Sequence, residues 1–410
     1  MLYSKRIEQS ASADIVLNII LFIICPALAI LAVIAQVYFG RYNGSRMTIL
    51  ALSIAMVALF TPPFADIYRH TLLYFYYQNY EDTIFQSNGN DFIFYTLNNI
   101  FAKNQIPFEY ISYIFVFICY QISFYLFGEV LHSSYAVKWS RTTVFHIFLC
   151  FLLMVPFIAI INGLRMATAA YITLYAWYNI YKKHNIKGVL FYVIALCMHF
   201  GAWLFLPIML YSLFYHHIKI NRITFFIISV ILVVAGGFLL QVIPISFIET
   251  MSLDSAVDGY MLNSDENFGD KMSSNGFIAM YLERAPLIAV VLLIMRNTLK
   301  VKPQVESLIY FVIWWSLIYY PFTVLFQRYA FFAVPLLIFL CVYNENNVEC
   351  SRSLNIKVLL ISCVVMTISY MYGYREAFTH TQFYKMFQPS VVTIPTTDTH
   401  ENFRNALIPK

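Results

Sequence analysis

Charge is scarce in this sequence. Of 410 residues only 11% are Asp, Glu, Lys or Arg, while 60% are hydrophobic, a balance outside the usage of soluble globular chains. A polar stretch long enough to fold as a separate domain is lacking, as are a Gly-rich phosphate loop and paired metal-ligand spacings, which excludes a fused cytoplasmic catalytic domain. Cysteine shows no pairing pattern: Cys25, Cys119, Cys150, Cys197, Cys341, Cys350 and Cys363 are scattered, nearly all inside apolar runs. Neither a disulfide framework nor a zinc site is expected, and no metal or cofactor is called for. A basic tail or basic helix is missing too. The net charge of +5 is spread over short connections, which argues against nucleic acid as a partner.

What is present is apolar sequence in long continuous runs, with a mean hydropathy of +0.69. The runs lie at roughly 15–39, 47–64, 110–131, 142–161, 166–181, 188–215, 223–243, 276–295, 305–326, 329–343 and 356–373. They lack the period-2 alternation of barrel strands, and in lipid an isolated segment must satisfy its backbone internally. The expected fold class is therefore all-α: a multi-pass protein of the bacterial inner membrane with about 10–12 transmembrane helices, residues 1–410 forming one transmembrane domain in the lipid bilayer. The run at 15–39 is too long for a signal-peptide core and ends in no small-residue cleavage pattern, so it is expected to be a retained span.

Two stretches are too polar to be spans. Residues 65–109 carry Asp66, Glu81, Asp82, Asp91 and Glu109 against Arg69 and Lys103, and residues 244–275 carry six acidic residues against Lys271. Both read as outer, periplasmic loops by the positive-inside rule. Residues 374–410 form a polar C-terminal tail. The basic connections Arg41/Arg46, Lys138/Arg141, Lys182/Lys183/Lys187, Lys219/Arg222, Arg296/Lys300/Lys302 and Arg352/Lys357 are assigned to the cytoplasm, which puts both termini outside. One segment breaks the alternation: residues 188–215 have basic flanks at both ends. Either they form a re-entrant hairpin turning near "MHFGAW", with Gly201 easing the turn, or they form one long tilted helix.

Within this topology Arg165, in "NGLRMATAAYITLYAWYNIYKK", sits at the outer end of a span. It is either an interfacial anchor snorkelling to headgroups or a fixed cation for a phosphate-bearing lipid, since guanidinium can bind phosphate oxygens bidentately. Arg328, in "LFQRYAFFAVP", repeats the situation on the same side. His199 lies inside an apolar run, where a neutral hydrogen-bonded histidine and a functional one are equally compatible with the pattern. Asp66, in "PPFADIYRHTLLYFYY", is either a helix N-cap or a carboxylate that takes a proton from a sugar hydroxyl. The abundant Tyr and Phe, 32 and 38 copies, fit an interfacial belt, with sugar stacking as the minor reading.

The segment "NGLRMATAAYITLYAWYNIYKK" followed by "LFYVIALCMHFGAWLFLPIML" resembles the central signature of the EpsG family of Wzy-like polysaccharide polymerases. Asn162, Arg165, the Lys182/Lys183 turn, His199, Gly201 and Pro207 match its order. "ADIYRHTLLYF" resembles the Asp-x-Tyr opening of the family's first outer loop through Asp66 and Tyr68. "QRYAFFAVP" resembles its C-terminal motif through Arg328, Tyr329, Phe331 and Pro335. Together these motifs span Asp66 to Pro335; Met166 departs from the pattern, since many relatives have Gln there. The resemblance implies a glycosyltransferase at the periplasmic face, joining undecaprenyl-diphosphate-linked oligosaccharide repeat units for O-antigen, capsule or exopolysaccharide. It implies Arg165 and Arg328 for charge stabilisation, Asp66 or His199 as proton acceptor, and Asn162, Tyr68 and Tyr329 near the substrate. A chain-length regulator and a flippase of the same pathway are the implied protein partners.

The main rival is a lipid-linked oligosaccharide flippase, which also needs many helices and cations for a diphosphate. A flippase should carry charge along the interior of several helices, whereas most charges here lie at helix ends. A membrane acyltransferase lacks support in the early helices, and a structural partner of an export complex is a third reading.

Overall fold

The structure is a computed structural model that describes residues 14–63, 66–79, 91–132, 139–214, 219–242, 278–279, 281–298, 301–320, 323–343 and 349–393. Residues 244–275, expected as an outer loop, and residues 394–410 of the tail lie outside these. The protein is an all-α, polytopic membrane protein, and the described residues contain no strand. Four segments are by themselves long and apolar enough to cross a membrane, Glu109–His132, Arg141–Asn162, Leu325–Tyr343 and Leu354–Gly373, among further shorter apolar helices. The chain divides into two compact units, one of residues 1–172, 193–200 and 374–410, the other of residues 173–192 and 201–373.

In the first unit the run expected as a single span at 15–39 is instead a helical hairpin. Its arms are α1 (Asp14–Ile24) and α2 (Pro26–Tyr38), broken at the extended Cys25 with Pro26 at the first helical position, where a missing N–H is harmless. Asn18 and Gln36 exchange side-chain amide hydrogen bonds at 2.8 and 3.0 Å. One continuous helix would hold them about 27 Å apart. At the open end Asp14 pairs with Arg46 at 2.9 Å and Arg41 at 3.4 Å, so both flanks of the run lie on one side. The sequence period cannot distinguish this from a span, because both arms are apolar throughout and only the polar pair marks the fold-back. The hairpin thus sets the start of α1 beside the Arg41/Arg46 connection.

The hairpin packs on α3 (Gly44–Ala55), capped by the Asn43 side chain and extended by a 3-10 turn, Met56–Phe60. Beyond it come α4 (Asp66–Asn79), α5 (Phe92–Lys103), α6 (Glu109–His132), α7 (Arg141–Leu153) and α8 (Phe157–Asn162). α3 packs on α6, and α6 on α7. The C-terminal residues return to this unit: Gln382 N–H donates to the Phe60 carbonyl at 3.1 Å, and Ser390 Oγ to that of Phe22 at 2.5 Å. The second bond satisfies a carbonyl at the end of α1 that lipid could not.

Two helices are shared between the units, α9 (Leu164–Tyr181) and α10 (Lys187–Met198). The second unit adds α11 (Leu206–Phe214), α12 (Arg222–Val242), α13 (Ala285–Met295), α14 (Pro303–Ile318), α15 (Thr323–Tyr343) and α16 (Glu349–Gly373). Of the segment expected at 188–215, residues 188–214 are described, and they fold back as a hairpin and not as one long helix. On the outgoing arm, Gly188 sits against Ala176 and Ile180, and Phe191 meets the Tyr175 ring at 4.8 Å. On the return arm Ser212 accepts from Trp177 Nε1 at 2.8 Å, and the Met209 carbonyl accepts from the Tyr181 hydroxyl. A single helix would separate residues 188 and 212 by about 36 Å, yet both pack on the same stretch of α9. Tyr192 bonds the Ala202 carbonyl across the break at 3.2 Å.

Gly188 is the close approach that lets the first arm lie on α9. A Cβ there would fall 2.6 Å from Ile180 Cγ1 and 2.7 Å from the Ala176 carbonyl oxygen, and the backbone oxygen cannot swing away. Gly188→Ala is expected to destabilise the folded protein by about 1–3 kcal/mol. Thermal unfolding of the purified variant in detergent checks this, and an unchanged midpoint would contradict the packing.

Candidate functional site

The polar constellation of the first unit is built around Asp91, at the N-cap position of α5. An aspartate there ordinarily accepts the N–H groups of its own first turn; Asp91 makes no such bond. Its carboxylate instead reaches three partners distant in sequence. Oδ2 accepts from Arg165 Nη1 at 2.5 Å. Oδ1 accepts from His199 Nδ1 at 2.8 Å and from the Phe200 backbone N–H at 2.9 Å. Asp91 is 3% and His199 3% exposed, so these bonds form away from bulk water, where charge-assisted contacts are strongest.

Each partner is placed by a helix end. α4 and α5 pack as a pair, tied by Asn98 Nδ2 donating to the His70 carbonyl at 3.2 Å; Tyr74 Oη donates to the Ile106 carbonyl just past α5 at 2.7 Å, and α4 touches α8. Arg165 is the second residue of α9, where the helix dipole adds positive potential to its guanidinium. Its Nη1 also donates to the Tyr95 hydroxyl at 3.0 Å, and its Cζ lies 5.6 and 5.7 Å from the Phe94 and Tyr95 ring centroids. His199 stands in the break that ends α10, its N–H on the Ala195 carbonyl at 3.0 Å. Because a carboxylate can only accept, Nδ1 carries a hydrogen, and in the neutral ring the lone pair is on Nε2.

Burial raises the Asp91 carboxyl, but the His199 hydrogen bond and charge, the Arg165 charge and the Phe200 N–H outweigh it and hold it below its ordinary range. A carboxylate depressed in the folded state adds stability above its unfolded value, about 3.9, and that stability is lost as pH falls through the folded value. The melting temperature should therefore show no Asp91 contribution to its slope between pH 7 and 5 and should fall below about pH 4. Asp91→Asn should lack that acid-limb slope.

Of the residues picked out in the sequence, Arg165 and His199 are brought together, joined through Asp91. Asn162 turns its amide back onto the Ile158 carbonyl at 2.8 Å, at the end of α8. Tyr68 is half-buried on α4, and Asp66 opens that helix, its side chain outside the described residues. Arg328 and Tyr329 belong to the second unit, on α15. Arg328 is half-buried, and Tyr329 is fully buried against Phe205 and Tyr319 with its hydroxyl toward the Val312 carbonyl. Asp91 and Tyr95 were not singled out from sequence, although an aspartate directly ahead of the apolar "FIFYTLNNIF" helix was visible. Among the described residues no group of three or more His, Cys, Asp or Glu could hold a metal ion.

No curated protein and no solved structure matches the chain. The model of the EpsG family matches residues 45–386, a stretch that contains Asp91, Arg165, His199 and Arg328 and leaves the α1–α2 hairpin outside it; the chain belongs to the EpsG family.

Proposed function

We propose that this protein is a polysaccharide polymerase that joins polyprenyl-diphosphate-linked repeat units at the outer face of the membrane. The observation that carries the reading is that Asp91 forgoes its own helix to hold Arg165 and His199 on one carboxylate. In the reaction a hydroxyl oxygen of the acceptor saccharide attacks C1 of the donor sugar, and the bond from C1 to the phosphate oxygen breaks. The diphosphate leaves with the electron pair and the hydroxyl proton passes to a base. Arg165 stabilises the departing negative charge, which a diphosphate already tolerates, so no strong general acid is required.

His199 receives the proton at Nε2. Asp91 is a poor base because its partners hold it in the ionised form; it orients the imidazole and stabilises the imidazolium, as a buried carboxylate does for a catalytic histidine. Asp66 stands as the alternative proton acceptor, and Arg328 as a cation of the second unit that serves the same diphosphate chemistry.

The test is the length distribution of surface polysaccharide in a deletion strain complemented with wild type, Arg165→Ala, His199→Ala, Arg328→Ala or Asp66→Ala at matched protein levels. Arg165→Ala and His199→Ala are expected to leave single repeat units, with a fall in long chains of about 10²-fold or more. Long chains at wild-type abundance in His199→Ala would remove the histidine from the chemistry. Repeat units accumulating on the cytoplasmic side in the deletion strain would replace polymerase with flippase.

A further inference from the structure

We propose that Arg284, in the second unit, is the centre of a second phosphoryl-binding site. Arg284 precedes α13 and is 2% exposed. Its Cζ lies 3.9 Å from the Tyr320 ring centroid, 4.7 Å from that of Phe326 and 4.8 Å from that of Tyr281. Its Nε and Nη1 are buried without a hydrogen-bond partner, and among the described residues no carboxylate lies within ion-pair distance of it. The adjacent Glu283, 4% exposed, is turned elsewhere: its Oε2 accepts from Gln327 Nε2 at 2.6 Å.

A guanidinium taken out of water with no carboxylate in direct contact is unfavourable; Glu283 acts on it only at longer range, and the neighbouring rings offset part of the rest. The three rings crowd the guanidinium carbon, and Nε and Nη1 are the donors left to be satisfied. A ligand that completes the site therefore offers several acceptor oxygens and brings negative charge. A neutral hydroxyl supplies no charge, and a carboxylate has only two oxygens to offer. A phosphoryl group, with more than one charged oxygen, satisfies both conditions.

The 11 residues of α13 separate Arg284 from Arg296, about 16 Å of helix, which carries it about half the hydrocarbon thickness away from that basic connection. Two sources of a phosphoryl group are a phospholipid headgroup and the diphosphate of a prenyl carrier. Only the second rests on the proposed function, and binding itself does not depend on any reaction.

The experiment titrates the purified full chain, in a phosphate-free maltoside detergent, with farnesyl diphosphate and separately with dihexanoyl phosphatidylglycerol, followed by calorimetry. Arg165→Ala serves as the background so that the first unit's arginine is silent. Saturable binding is expected in Arg165→Ala and at least a tenfold weaker affinity in Arg165→Ala/Arg284→Gln. Arg284→Lys, which keeps the charge but not the planar edge, should bind measurably but more weakly, and it decides the matter if the glutamine variant does not purify folded. Farnesyl diphosphate binding that is indifferent to both Arg284 changes overturns the site. Equal binding of phosphatidylglycerol supports it and assigns the ligand to membrane lipid. Should the chain-length experiment fail while Arg284-dependent binding persists, the polymerase reading falls and the site stands.

Discussion

Replacing Asp91 with alanine is expected to abolish long-chain polysaccharide and to destabilise the folded protein by about 3–5 kcal/mol. The magnitude follows from what the carboxylate holds. Arg165 loses the 2.5 Å bond that balances its charge, His199 loses the acceptor on Nδ1, and the Phe200 N–H loses its partner. A buried charge left without compensation costs more than the pair contributed, because the desolvation remains and the attraction is gone. Asp91→Asn should lie between, keeping the shape and one acceptor oxygen while turning an N–H₂ toward a donor. Removing Arg165 together with Asp91 should recover part of the lost stability, since no orphaned cation remains. Thermal unfolding in detergent of wild type, Asp91→Ala, Arg165→Ala and the double variant gives the coupling. An Asp91→Ala protein with wild-type melting and wild-type chain lengths would show that the constellation does neither job.

How much of this was legible in the sequence depends on the range of the interaction. Helical class and the positions of most apolar helices follow from local composition, because lipid demands continuous apolar sequence and internal backbone bonding. The fold-back at His199 was legible as one of two solutions to a topological conflict, the other being a long tilted helix; the contacts of both arms with α9 decide it. The fold-back at Cys25 was not, because its polar markers, Asn18 and Gln36, are uncharged and 18 residues apart, and neither breaks an apolar run. Arg165 and His199 stood out because charge or a titratable ring at the edge of an apolar run is costly and needs a reason. Asp91 sat among the other acids of residues 65–109. Its partners lie 74 and 108 residues away, and no local period carries a contact of that separation. The only local sign was an aspartate at a helix start, which ordinarily means capping.

The Arg165 variants separate stability from chemistry. Arg165→Ala leaves Asp91 with two of its partners, the His199 ring and the Phe200 N–H, so its loss of stability should be clearly smaller than that of Asp91→Ala. Its loss of long-chain product should be as large, about 10²- to 10³-fold, the range for removing a donor aimed at developing charge. Arg165→Lys is expected to rescue folding and not polymerisation. A lysine can reach one carboxylate oxygen as a point charge, but it cannot hold Asp91 and Tyr95 from one nitrogen of a planar group set beside the Phe94 and Tyr95 rings while presenting further donors to a diphosphate. Matched measurements of melting temperature and polysaccharide length on the three proteins decide the point. If Arg165→Lys restores chains of wild-type length, Arg165 acts only as a counter-ion for Asp91, and the cation that meets the leaving group must be sought elsewhere, first at Arg328.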